Sequence, residues 1–506
     1  MGQTTLILMI ITVITKIFGF VRESVMAAYI GAGELKSVYT TAITIPTMLS
    51  LVVAKGLESG YIPIYNKIKN EKNEETANEF TSNLINILMV YGTIILVMVW
   101  IFAGPISKML SPDLKGESLR LAINYTRIIM FCIYALLYAS VMKGYLNIRG
   151  NFIDPVLTGI ILDLLIIIST IFTGKYGNPY ILIFGVLLAY IFQNIRYPFV
   201  SKKLGFRYHK TIDFSDKYIK SLFIIVIPII ISTAADQISL LIDNSMASAF
   251  FGVSSISKIF YAKTMLNFII GVVTLTVTTV TFPEIAKLAQ KGNIAEMSRR
   301  VKSSVVFSML LVIPATLGMM ALSEPIIKLA FERNAFTHND TNIVASLLVS
   351  YGPYIIFISV LKIFANGFYS MEDSKTPLMI VLFQQLLNVI LNIIFSKIFG
   401  INGLAYATAL SSLIASLLFA LKFNSKYNKS EDIQNIKSIF KITIVSIIMY
   451  IFAKYSYLYL VRSYSYVISL LLSVLLSGLI YLTLIILVKI PEVDKIILEA
   501  KKKIGK

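Results

Sequence analysis

Fourteen apolar stretches run through this chain, and the first six are echoed by the next six about 220 residues later. Gly104-Pro105-Ile106-Ser107-Lys108-Met109-Leu110 returns as Glu324-Pro325-Ile326-Ile327-Lys328-Leu329-Ala330. Ser24 to Gly31 returns as Ser245 to Gly252, and Lys143-Gly144-Tyr145 with Pro155 returns as Asn366-Gly367-Phe368 with Pro377. Six is an even number, so both copies enter a bilayer from the same side, as parallel repeats about an axis along the membrane normal. Two like-oriented bundles suit a device that opens alternately to each side. The repeat therefore points to a transporter.

Crossing the hydrocarbon takes ~20 apolar residues in a helix, and these stretches are too long and too continuously apolar for barrel strands. The expected spans are 4–30, 35–62, 80–103, 119–146, 153–174, 179–200, 218–250, 254–283, 302–323, 341–369, 376–398, 401–423, 436–460 and 464–490. The fold class is an all-α polytopic membrane protein with 14 transmembrane helices. The expected organisation is an N-lobe (1–210, spans 1–6), a C-lobe (211–425, spans 7–12) and a third part (426–506) holding spans 13 and 14 and a tail. The last two spans have no counterpart in the repeat.

The sequence carries a formal charge of +19, which by itself would suit nucleic acid. Its distribution argues otherwise. Basic residues cluster in alternate connections: Lys67, Lys69 and Lys72; Lys202, Lys203, Arg207 and Lys210; Arg299, Arg300 and Lys302; Lys501, Lys502 and Lys503. This asymmetry places those connections and both termini in the cytoplasm of a bacterial inner membrane, and no nucleic acid is expected as a partner. The first apolar run has no basic segment before it, so it is expected to be a retained span. Cys132 is the single cysteine and His209 and His338 are far apart, so neither a thiolate cluster nor a histidine-based catalytic site can be assembled.

Charge inside a bilayer costs on the order of 3 kcal/mol per group and therefore needs a partner, water or a job. Span 1 carries Lys16, Arg22 and Glu23, with Lys16, Gly19 and Glu23 on one stripe. Span 2 carries Lys55 and Glu58 towards its cytoplasmic end, where snorkelling competes with a place in a cavity. Lys263 in span 8 lies ~13 Å deep at 1.5 Å per residue, and Arg127 is comparably deep in span 4. Structural pairing, such as Lys16 with Asp163, is the plainer alternative for any one of them. As a group they favour a wet cationic cavity suited to a polyanionic head group such as pyrophosphate.

The second repeat is different. Asp236 and Asp243 lie seven residues apart on span 7, Asn388 and Asn392 at i, i+4 on span 11, and Thr408 on span 12. Such oxygens suit a hard monovalent cation or a proton. Ordinary interhelical hydrogen bonding would use the same amides and hydroxyls. No cofactor is expected beyond a coupling cation, Na+ or H+.

Several motifs resemble those of the MurJ/MviN lipid II flippases of the multidrug/oligosaccharidyl-lipid/polysaccharide exporter superfamily. They are Lys16-Ile17-Phe18-Gly19-Phe20-Val21-Arg22-Glu23 with Gly31-Ala32-Gly33, then Gln237 to Asp243, Phe331 to Thr337 and Gly367 to Pro377. The likeness covers essentially the whole chain. It implies movement of undecaprenyl-pyrophosphate-linked peptidoglycan precursor (lipid II) to the outer leaflet by alternating access, coupled to membrane potential or a cation. It implies a cationic central cavity and a lipid-tail groove at the two extra helices. Arg22 matches a family cavity arginine, Glu23 its acidic neighbour, and Lys16 stands where many members have arginine. Asp243, Asn388, Asn392 and Thr408 fall where a sodium site is expected. Lys55 departs from the pattern, standing where members tend to be acidic. Lys263 adjoins Thr264, near which members carry arginine.

The expected substrate-contacting set is thus Lys16, Arg22, Glu23, Lys55, Arg127 and Lys263, and the coupling set is Asp236, Asp243, Asn388, Asn392 and Thr408. Membrane lipids and cell-wall synthesis proteins are the expected partners, and no covalent chemistry is expected. A flippase for another undecaprenyl-linked glycan, a cation-coupled drug antiporter of the superfamily and a membrane-embedded glycosyltransferase are the alternatives. The short connections leave no room for a catalytic domain of the last kind.

Overall fold

The protein, seen as a computed structural model, is described over residues 2–427 and 433–494; the side chains of 2–6, 9, 228, 231, 232, 235, 236, 239, 272–280 and 433 fall outside that description. In hydrocarbon every backbone amide must be satisfied within the segment, and the described residues answer with helices. They are α1 (Gly2–Ile30), α2 (Glu34–Glu71), α3 (Glu74–Ile101), α4 (Ala103–Leu110), α5 (Gly116–Ile129), α6 (Cys132–Ile148), α7 (Ile153–Tyr176), α8 (Pro179–Phe192) and α9 (Arg196–Lys203). There follow α10 (Lys217–Phe251), α11 (Ser254–Gln290), α12 (Ile294–Ala321), α13 (Ser323–Phe331), α14 (His338–Ser370), α15 (Lys375–Phe399), α16 (Asn402–Tyr427), α17 (Ile433–Leu460) and α18 (Tyr466–Leu487). Among the described residues ten helices are long and apolar enough to cross a membrane, or eleven if α5 and α6, bent by 41° at their junction, form one span. Each expected span coincides with a helix or a broken pair of helices.

Polar residues of the connections start several helices. Asn73 accepts from the Thr76 amide, Asp216 from the Tyr218 and Ile219 amides, and Asn293 from the Glu296 amide. The repeated motif forms the same element twice: α4 and α13 are short helices that carry its two copies. A division of the sequence into spans and loops treats both as connections.

By packing, the chain divides into two compact units: 1–257 with 331–337, and 258–330 with 338–506. The sequence repeat turns over near residue 210, but α10 groups with the first unit. Small residues explain the grouping, since close approach of backbones is what binds helices in lipid. A Cβ at Gly56 would collide with Val226, and one at Gly60 would lie 2.8 Å from Leu222. The rest of this unit packs around buried tyrosines: Tyr61 stacks on Phe80 at 6.0 Å, and Tyr65 meets Tyr145 edge-on at 5.9 Å. The segment between α9 and α10 is pinned along α3. Asn78 donates to the Gly205 carbonyl, Asn83 pairs with both main-chain groups of Asp213, and Asn86 donates to the Thr211 carbonyl.

The Phe331 to Thr337 motif belongs to the first unit and docks at the end of α1. The Ala335 amide donates to the Ala28 carbonyl at 3.0 Å, Arg333 donates to Ser24 Oγ at 2.8 Å, and Phe331 lies 6.2 Å from Phe20. Gly31 must be glycine here. Its φ is +77°, and a Cβ would come within 2.5 Å of the Ala335 carbonyl oxygen.

In the second unit α14 and α15 pack on α16, and α12 packs on α14 and α17, with α18 against α17. Tyr481 of α18 donates to the Leu310 carbonyl of α12. The Gly367 to Pro377 motif has a structural reading. Gly367 lets Phe423 approach, and Asp373 closes the first turn of α15 by accepting from the Thr376 amide and hydroxyl and from Lys426. Burial would raise the Asp373 pKa; the hydrogen bonds from Lys426 and Thr376 outweigh it and hold the group at about 2. An unfolded aspartate titrates near 3.9, so this stabilisation is complete above pH ~4 and lost as pH falls towards 2. Asp373→Asn, which gives up the ion pair with the half-exposed Lys426, is expected to cost ~1 kcal/mol at pH 7. Thermal unfolding should show the gap from the parent protein narrowing at pH 3.

Candidate functional site

The charges of α1 are gathered by two neighbours. Gly159 and Gly174 let α7 come close to α1, since a Cβ at the first would lie 2.7 Å from Thr15 and one at the second 2.5 Å from Tyr29. Arg22 Nη1 then donates to Asp163 Oδ1 at 2.7 Å. Its Nε and Nη2 donate to Glu23 Oε1 at 3.1 and 2.8 Å. From the first turns of α2, Lys36 Nζ donates to Glu23 Oε2 at 2.8 Å and lies 5.1 Å from the Tyr39 ring centre. The result is a chain of alternating charge, Lys36–Glu23–Arg22–Asp163, that sums to zero. Burial along it is uneven: the Lys36 side chain is 0% exposed, Glu23 4% and Asp163 8%, but Arg22 is 25% exposed. A guanidinium carries five N–H donors. Three are engaged here, so two remain on a group that is a quarter exposed.

This corrects the expected local excess of cations around Arg22, because two carboxylates balance the arginine and a lysine. It also reassigns Asp163, which pairs with Arg22 and not with Lys16. Lys16 is exposed on α1 and forms no ion pair among the described residues. Lys55 stands apart from this cluster: it pairs with Glu58 at 3.0 Å, which also accepts from Lys143 of α6 at 3.1 Å, all three about half exposed. Arg127 is engaged at the C-terminal end of α3, donating to the Trp100 carbonyl at 3.2 Å with its guanidinium over the Trp100 ring. That is the geometry of a snorkelling arginine at an aromatic belt. Lys263 lies in the second unit, half-buried, with its ammonium 5.6 Å from the Tyr351 ring centre.

Of the coupling set, the structure brings three residues together. Asn388 donates to Thr408 Oγ1 at 3.3 Å, Asn392 donates to Asn388 Oδ1 at 3.2 Å, and Gln384 continues the ladder to Ser412 at 3.0 Å. Asp243 stands half-buried on α10, in the first unit. The Asp236 side chain lies outside the described residues.

Comparison with known proteins decides the family. The family model for the lipid II flippase MurJ matches residues 26–477. The chain belongs to the MurJ family. One relative, from Buchnera aphidicola subsp. Baizongia pistaciae, is named as a probable lipid II flippase MurJ; it is 29% identical over 76% of this chain and 76% of its own length. A solved structure titled "Lipid II flippase MurJ, inward closed conformation" superposes with a TM-score of 0.80 at 24% identity, covering 95% of this chain and 98% of that one. An inward-facing multidrug resistance MATE family transporter of the MOP superfamily superposes with a TM-score of 0.70 at 13% identity, over 82% of this chain and 94% of its own. The fold is therefore that of MurJ, and the chain is a multi-pass membrane protein of a transporter family.

Within that family frame, one residue of the charge chain, Lys36, escapes sequence reasoning. Lys36 follows the Gly31-Ala32-Gly33 turn and Glu34, a setting that reads as an exposed first helical turn. Its partner lies thirteen positions upstream across that turn. The sequence offers Asp163 as a partner for Lys16, and the structure pairs it with Arg22. The usable signal is arithmetic: charges so deep in apolar sequence must come in opposite pairs.

Proposed function

We propose that this chain flips lipid II from the inner to the outer leaflet of the bacterial cytoplasmic membrane, with both termini in the cytoplasm. The reading is carried by Arg22, the one member of a buried and otherwise neutralised charge chain with a substantially open edge. A diphosphate offers oxygens to both free N–H groups of that edge, and a guanidinium suits such bidentate contact. Glu23 and Asp163 hold the guanidinium plane from behind. Lys16, exposed two turns earlier on the same helix, supplies a second positive charge, and Lys263 and Lys55 are candidates for later contacts along the path. Arg127, engaged by Trp100, serves to anchor its helix at the membrane boundary.

Transport is coupled in this reading to membrane potential or to a cation, Na+ or H+. Asn388, Asn392 and Thr408 of the second unit offer hard oxygens, and Asp243 of the first offers a carboxylate, the kinds of donor that a sodium ion takes. The amides and the hydroxyl are hydrogen-bonded to each other, so an ion would be exchanged against those bonds. The test is genetic: expression of this gene alone, after depletion of the resident flippase, is expected to restore growth and labelled lipid II on the outer leaflet. Normal expression with no externalised lipid II would refute the reading.

A further inference from the structure

The basic residues at the α2–α3 end of the first unit are of two kinds. Lys67 pairs with Glu71, Lys69 and Arg149 with Glu74, and Arg196 with Asp154. By contrast, Lys202, Lys203, Arg207 and Lys210 are all exposed, and none forms an ion pair among the described residues. Two of the four, Lys202 and Arg207, line a cavity of about 580 Å³. Ile85 of α3, Tyr138 of α6 and Phe206 form its apolar floor, while Lys202, Arg207 and Tyr208 stand at its rim. The rim is built and held: Tyr208 Oη donates to Asn86 Oδ1 at 2.8 Å, the His209 amide donates to Ser82 Oγ at 3.1 Å, and the Gly205 carbonyl accepts from Asn78.

A rigid pocket with a greasy floor and a doubly cationic rim, set at the boundary of membrane helices, matches one ligand chemistry. We propose that it binds an anionic glycerophospholipid of the cytoplasmic leaflet, with the phosphate between Lys202 and Arg207 and the start of an acyl chain over Ile85 and Phe206. Basic pockets between membrane helices on the cytoplasmic side recognise acidic lipid head groups in this way. The site lies on the segment that joins the two sequence repeats, away from Arg22. The leaflet rests on the orientation proposed above, whereas the binding itself does not.

The test uses the full-length protein in phosphatidylcholine micelles titrated with phosphatidylglycerol, with bound lipid read by mass spectrometry of the intact complex. The parent is expected to retain phosphatidylglycerol in preference to phosphatidylcholine. At about fivefold per charge removed, Lys202→Gln with Arg207→Gln should weaken binding roughly 25-fold. Lys67→Gln with Lys69→Gln, which removes the same charge from paired positions, should leave it unchanged. Equal retention by the first double variant, or an equal loss in the second, would overturn the proposal. Displacement of the lipid by an equal concentration of inorganic phosphate would also overturn it, by making the ligand a free oxyanion. None of these readouts depends on transport, so failure of the flippase reading would leave them standing, and the reverse holds.

Discussion

Replacing Glu23 with glutamine is expected to destabilise the protein by about 3–5 kcal/mol, the range found when one partner of a buried ion pair is removed. Glu23 is the hub of the charge chain, with one oxygen on Arg22 and the other on Lys36. Arg22 keeps Asp163 in the variant and remains partly open to solvent. Lys36 cannot turn to solvent: its side chain is 0% exposed, and it also touches the Met26 sulfur and the Tyr39 ring. Thermal unfolding of the purified protein in detergent is the measurement. Because a buried pair exchanged for matched uncharged groups is often close to neutral, Glu23→Gln with Lys36→Met should recover most of the loss. A single variant as stable as its parent would show that Lys36 does not depend on Glu23.

Arg22→Ala is expected to abolish rescue of a flippase-depleted strain while the protein still accumulates. The structure supplies a competing explanation that the experiment must separate, since this change also strands Asp163 without its cation. The double change Arg22→Ala with Asp163→Asn removes that stranded charge. If Arg22 only neutralises Asp163, the double variant should regain rescue. If Arg22 meets the diphosphate, both variants should accumulate and both should fail, with externalised lipid II absent in each. Rescue by the double variant would remove Arg22 from substrate contact.

Much of the architecture is legible in the sequence because bilayer physics leaves few options. A run such as residues 466–487, which has no charge, can only be a spanning helix, and the two copies of Pro-Ile-x-Lys are enough to mark the repeat. Element identity is less legible. Those copies are themselves helices, α4 and α13, too short to signal by length. Arg22 and Glu23 are readable as a site because charges in apolar helices require an explanation. Their partners are readable only in part: Asp163 is offered to Lys16, and Lys36 not at all, because the two reach Arg22 and Glu23 through folds in the chain of 141 and 13 positions that no local pattern encodes. The grouping of α10 with the first unit is hidden for a similar reason. It depends on Gly56 and Gly60 matching Val226 and Leu222, a fit of shapes and not of hydropathy.

At residues 205, 211 and 213 the asparagines of α3 hold main-chain atoms only. Peptide groups are the same whatever residue carries them, so the route of this tether is dictated from α3 while its side chains stay negotiable. A lineage can therefore retune the basic character of the segment, charge by charge, to suit the lipids of its own membrane. Altering Asn83 would instead release the main chain at Asp213, whatever residues the segment carries.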